Sequence, residues 1–170
     1  MKVLETERLL LRWLTVDDAE FIMALVNEPS WLRFIGDRGV RSVDDALGYI
    51  ANGPAAMYAR LGFGLFLVER RDDGVPVGMC GLIKRDGLDD VDIGFAFLPR
   101  FWGQGYALES AAAVLAYGQA ELGFKRIVAI TSKDNDRSIR LLESIGMTFE
   151  KSIRLRAEDE EVKLFALQQA

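Results

Sequence analysis

The 170 residues are 50% apolar and 28% charged, a balance that supports a substantial core and leaves no apolar run long enough to span a bilayer. With 26 acidic against 21 basic residues, a net charge of -5, the chain lacks the cationic excess that nonspecific nucleic-acid binding requires. The absence of histidine and the single cysteine exclude His-ligated zinc, Ser/His and Cys/His nucleophile pairs and an internal disulfide, which leaves carboxylates, hydroxyls and water for acid-base work.

The opening MKVLETERLLLR interleaves charges with leucines, unlike a secretory signal. The expectation is a soluble cytoplasmic protein with no membrane partner, forming a single domain over residues 1–170. Arg8 to Leu14 is the first predicted strand, and Thr15-Val16-Asp17-Asp18 opens a helix to about Asn27, with Thr15 as cap and Asp18 at the third helical position. A loop containing Trp31, Phe34, Ile35 and Gly36 follows. Ser42-Val43-Asp44-Asp45 starts a second helix, ending near Asn52-Gly53-Pro54. Gly64 to Arg70 and Val75 to Lys84 flank the hairpin signal Asp72-Asp73-Gly74, and Asp86-Gly87 marks a turn before Val91 to Leu98. These three strands form an antiparallel meander, with Cys80 a small core residue in the second.

A helix over Leu108 to Leu122 closes at Gly123, whose position suits a left-handed cap. A strand at Ile127 to Thr131, a helix from Asn135 to Ser144 and strands at Met147 to Leu155 and Val162 to Leu167 complete the chain. The basic segment 151–156 reads as a strand with one wet face. The predicted order is β-α-α-β-β-β-α-β-α-β-β, a mixed α/β layer structure without repeat or linker.

Between the third meander strand and the long helix lies Trp102-Gly103-Gln104-Gly105-Tyr106-Ala107. Glycines let such a turn approach an anion closely, and the first helical amides carry no intrahelical partner, so the turn is a phosphate cradle and the expected ligand a phosphorylated cofactor. A Walker loop would need Gly-Lys-Ser/Thr, and a dinucleotide fingerprint would need a glycine at Leu108 and a place after the first strand. Neither condition is met.

Taken with its flanks, the chain resembles the GCN5-related N-acetyltransferases (GNAT family), in particular the branch of the ribosomal-protein N-terminal acetyltransferases RimJ and RimL. The resemblance rests on TERLLLR, on Asp92-Ile93-Gly94-Phe95, on the run from Trp102 to Glu109, and on Asn135-x-x-Ser138 leading to Leu142 and Gly146-Met147. It implies a GNAT fold: a mostly antiparallel sheet of six to seven strands with about four helices. It further implies acetyl-CoA as donor, no metal and an amine as acceptor; many members of the branch form dimers, which allows a homodimer, but no isolated apolar stripe in this chain identifies an interface. The pyrophosphate would be held by amides of Trp102, Gly103, Gln104, Gly105, Tyr106 and Ala107, and the pantetheine arm by free backbone groups of Phe97 and by Asn135.

Trp102 stands where the wider family has Gln or Arg, so its indole either meets the cofactor or packs beneath the loop. Asn135 also reads as a helix cap. Leu142 replaces the family's proton-donating tyrosine, which leaves Ser138 as the group for the departing thiolate, against its plainer reading as a first-turn serine. Asp92 and Glu158 are the candidate bases, each also readable as a solvated carboxylate, and Glu109 as a partner of the helix dipole. Trp31, Arg33, Phe34 and Ile35 would line the acceptor opening. The implied activity is direct acetyl transfer to a primary amine of a protein N-terminus or small molecule; the alternative is a noncatalytic acetyl-CoA sensor.

Overall fold

Eight strands form one sheet in the computed structural model, which describes residues 1–168. They are β1 (Lys2–Glu5), β2 (Leu9–Arg12), β3 (Leu65–Arg70), β4 (Pro76–Ile83), β5 (Asp92–Phe97), β6 (Arg126–Ser132), β7 (Thr148–Ile153) and β8 (Val162–Gln168). Their spatial order is β1-β2-β3-β4-β5-β6-β8-β7, antiparallel everywhere except between β5 and β6. The connections carry α1 (Ala19–Val26), α2 (Pro29–Phe34), α3 (Val43–Asn52), α4 (Pro54–Leu61), α5 (Tyr106–Ala120) and α6 (Asp136–Ser144), with 3-10 turns at Val16–Asp18 and Pro99–Phe101. No helix among the described residues is long and apolar enough to cross a membrane.

Local chemistry explains where most elements begin and end. Thr15 and Asp18 make a reciprocal capping box before α1, and Ser42 Oγ accepts from the Asp45 amide at 3.0 Å to cap α3. Gly74 takes φ +71° in the β3–β4 turn and Gly123 takes φ +75° after α5, both as the turn and cap readings require. Along α5, Tyr106, Ser110, Ala111, Val114, Leu115 and Gly118 fall on one buried face. A Cβ on Gly118 would lie 2.8 Å from Leu82 Cδ1 and 2.9 Å from Ile127 Cδ1, so this glycine lets the helix approach the sheet. Phe66 stacks with Tyr58 of α4 and meets Tyr117 of α5 edge-on, which packs both helices onto one sheet face. Cys80 is fully buried, and burial pushes its thiol up to about 12 against an opposing contact from Ser110, so it is an inert core residue.

Three features depart from expectation. The sheet has eight strands because residues 2–5 pair with β2; a four-residue edge strand is too short for its alternation to stand out. The first predicted strand accordingly shrinks to Leu9–Arg12. There are six helices rather than about four, since α2 occupies the predicted loop and α4 starts at Pro54. Both begin with proline at the first turn, where its missing N–H costs nothing: the Gly53-Pro54 pair ends one helix and starts the next.

Candidate active site

The sheet opens at its centre. β5 pairs with β4 along its whole length, from Ile83↔Asp92 to Gly78↔Phe97, whereas β6 meets it only at Asp92↔Val128 and then follows β8. Leu98 N donates to Val77 O at 3.0 Å, so Gly78 and Phe97 face each other without mutual hydrogen bonds. By the alternation of the ladder, the N–H and C=O of Phe95 and Phe97 point to the edge that β6 has left. A cleft of about 880 Å³ occupies the opening, within the range of small-molecule sites.

One end of the cleft is the glycine turn. Gly103 and Gly105 take φ +78° and +82°, a left-handed backbone that other residues resist, and Gly105 caps α5 without a side chain. The amides of residues 103–108 donate to no group among the described residues. They form a ready anion cradle, and the fit to a pyrophosphate rests on that observation. Gly103, Gly105, Tyr106 and Ala107 line the cleft; Gln104 does not, since its side chain turns back to the Arg100 carbonyl at 3.4 Å.

The turn is braced from a distance that sequence reading did not anticipate. Glu109, on the first turn of α5, accepts from Thr6 Oγ1, from the Arg8 amide at 3.0 Å and from Arg8 Nε at 2.7 Å. Arg8 Nη1 in turn donates to the Gln104 carbonyl at 2.9 Å, and its guanidinium lies 4.6 Å over the Tyr106 ring. Burial acts to raise the Glu109 pKa, but Thr6 and Arg8 outweigh it and hold the carboxyl below its ordinary value. Thr6 and Arg8 therefore position the cradle, and the only sequence signal was the coexistence of Thr-Glu-Arg and Tyr-Ala-x-Glu.

Trp102 does not leave Phe97 as free as the resemblance implies. Its indole N–H donates to the Phe97 carbonyl at 2.9 Å, occupying one of two lone pairs, while the Phe97 N–H still faces the gap. Asn135 caps α6, accepting from the Ser138 amide at 3.3 Å, and also lines the cleft. Ser138 lines it as well, and its hydroxyl makes no hydrogen bond among the described residues.

The two candidate bases separate. Asp92 lies at the vertex of the opening, 1% exposed, held by Arg85 through Nε and Nη2 at 3.0 Å each. Burial raises its pKa, with Arg85 opposing. Glu158 is exposed, pairs with Arg156 at 3.6 Å and does not line the cleft, because its hairpin turns it outward; Asp159 and Glu160 face in instead.

At the far end Trp31, Phe34 and Ile35 line the opening. Trp31 is 5% exposed, and its indole N–H has no partner among the described residues. Arg33 lies outside, stacked on Phe34 at 4.6 Å and paired with Asp134 at 3.4 Å. Ser132 Oγ donates to the Phe34 carbonyl at 3.3 Å, which ties the end of β6 to α2. Glu28, Arg38 and Tyr49 also line this end, brought there by α2 and α3, whose relation to the sheet no local pattern encodes. Among the described residues no cluster of His, Cys, Asp and Glu is arranged to hold a metal.

The profile of the acetyltransferase (GNAT) domain matches residues 8–148. The chain is 33% identical over 153 residues to the uncharacterized N-acetyltransferase YoaA of Bacillus subtilis (strain 168), covering 89% of this chain and 86% of the other. A GNAT-family acetyltransferase structure from Bacillus anthracis superposes with a TM-score of 0.81 at 26% identity, covering 99% of this chain and 98% of that one. RimL, a ribosomal alpha-N-protein acetyltransferase solved with coenzyme A, shares the fold at a TM-score of 0.84 and 18% identity over 99% of this chain and 98% of its own. With a domain match that spans most of the chain and a relative above 30% identity along nearly its whole length, this protein belongs to the GNAT family of acetyltransferases and is an acyltransferase.

Proposed function

We propose that the enzyme passes an acetyl group directly from acetyl-CoA to an uncharged primary amine, of a protein N-terminus or a small molecule, without an acyl-enzyme. The observation that carries this reading is the parting of β5 from β6 with the unpaired amides of residues 103–108 at its mouth. In this reading the amides of the turn from Gly103 to Ala107 hold the pyrophosphate, the Trp102 amide being taken by the Pro99 carbonyl at 3.1 Å, and the pantetheine arm runs beside Phe97 and Asn135. Backbone N–H groups on the open edge of β5 stabilise the oxyanion.

Ser138 protonates the departing thiolate; a thiol of cysteine-like pKa, roughly 8.5, needs only modest help near neutral pH. Asp92 accepts the proton of the amine through water, favoured by the burial that raises its proton affinity. Trp31, Phe34 and Ile35 border the acceptor, with Arg33 supporting them from outside. A cytoplasmic setting, supported by the lone buried thiol of Cys80, and a homodimer belong to the same proposal.

Calorimetric titration with acetyl-CoA, followed by thiol release across a panel of amines and short peptides, tests it. The expected result is binding together with release for one acceptor class. Binding without release for any amine would restore the sensor reading, and absence of binding would overturn both.

A further inference from the structure

Five arginines line the cleft, and they differ in what neutralises them. Arg85 is paired with Asp92, and Arg156 with Glu158 and Asp159. Arg38, Arg137 and Arg140 have no carboxylate partner among the described residues. Arg38 stands at the acceptor end. Arg137 and Arg140 are one turn apart on α6, beside the glycine turn, and neither Asp136 nor Glu143 on the same helix forms an ion pair with them, while Asp134 is taken by Arg33. In a chain of net charge -5, two neighbouring exposed cations that form no ion pair and both line the cleft are suited to an anion.

Arg137 is also held in place. Its guanidinium lies 4.3 Å over the Trp102 ring, and that ring is fixed by its hydrogen bond to Phe97. Stacking uses the guanidinium face and leaves its N–H edge free for bidentate contact with a phosphate. Coenzyme A carries two kinds of phosphate: a pyrophosphate, which the amides of the turn suit, and a 3′-phosphate monoester that is close to dianionic at neutral pH. The monoester needs full positive charge more than it needs backbone dipoles.

We propose that Arg137, braced on Trp102, and Arg140 form the subsite for the 3′-phosphate, so that the enzyme distinguishes coenzyme A from 3′-dephospho-coenzyme A; this rests on the acetyl-CoA reading above. Trp102 then has a positioning role distinct from the amide cradle: it sets the direction of a cation across the mouth of the cleft.

The test is titration of coenzyme A and of dephospho-coenzyme A into the wild-type chain and the Arg137→Gln, Arg140→Gln and Trp102→Leu variants, with folding checked by circular dichroism. The wild type should prefer coenzyme A by about tenfold or more, as expected for loss of a charge-assisted contact. Arg137→Gln should weaken coenzyme A about tenfold and leave dephospho-coenzyme A unchanged. Arg140→Gln and Trp102→Leu should reduce the preference part of the way, and added salt should narrow it. Equal weakening of both ligands by Arg137→Gln would move that arginine to the pyrophosphate and overturn the assignment. A wild type that does not discriminate would overturn it too, while binding of neither ligand would overturn the acetyl-CoA reading itself and this one with it.

Discussion

Asn135 and Ser138 stand where the start of a helix meets the cleft. The Asn135 side chain spends its oxygen on the Ser138 amide, which closes the first turn of α6 and leaves the serine hydroxyl unengaged in the cleft. If that hydroxyl protonates the leaving thiolate, Ser138→Ala should lower kcat about tenfold and move the KM for acetyl-CoA less than about twofold. Steady-state kinetics with the acceptor found in the amine panel checks this, and an unchanged kcat would remove Ser138 from the mechanism. Asp92 and Glu158, by contrast, separate. As residue types they are equivalent, yet one sits 1% exposed against Arg85 and the other faces solvent on a hairpin tip.

Among the elements, the glycine turn with the start of α5 is constrained both in backbone and in space. Gly105 combines φ +82° with a virtual Cβ 3.2 Å from Arg8 Nη2. Gly105→Ala should therefore cost about 1–2 kcal/mol from the left-handed backbone alone. It should also displace Arg8 and weaken acetyl-CoA binding about tenfold by calorimetry, with the far-ultraviolet spectrum retained. The brace beneath the turn has a pH signature. Because the folded Glu109 pKa is depressed, its stabilising contribution is complete above the unfolded carboxyl value of about 4.3 and is lost as pH falls through the folded value. Glu109→Gln should lower stability by about 1–2 kcal/mol at neutral pH, discounted for the partly exposed Arg8, and flatten the acid limb of the stability profile. Urea unfolding between about pH 3 and 7 reads both effects.

On the scale of the whole molecule, the proposed function depends on where the sheet fails to close. The open edge of β5 predicts a pattern in amide exchange: Phe95 and Phe97 should exchange rapidly in the free enzyme and slowly with acetyl-CoA, while Gly94 and Ala96, bonded into the β4 ladder, stay protected in both states. Uniform protection along β5 would mean that the edge is not open. Much of this architecture was legible in the chain. The Asp72-Asp73-Gly74 hairpin, the Thr15 and Ser42 caps and the left-handed Gly123 all stand where local chemistry put them. What escaped was short or double-edged: β1 has too few residues to show a period, and Pro29 and Pro54 start helices with the same ring that ends them elsewhere.

The amino-acid order by itself determined the glycine turn with its unpaired amides, because two glycines in left-handed conformations before an uncapped helix are a property of a few adjacent residues. It also determined the family resemblance, which the domain match from residue 8 to 148 bears out. Only the tertiary structure decided that Glu109 would meet Thr6 and Arg8 about a hundred residues away, that the Trp102 indole would take the Phe97 carbonyl, and that Asp92 would face the cleft while Glu158 turned from it. The cleft itself depends on how β6 leaves β5 to follow β8, a competition between distant strands for the same hydrogen bonds that no local pattern records.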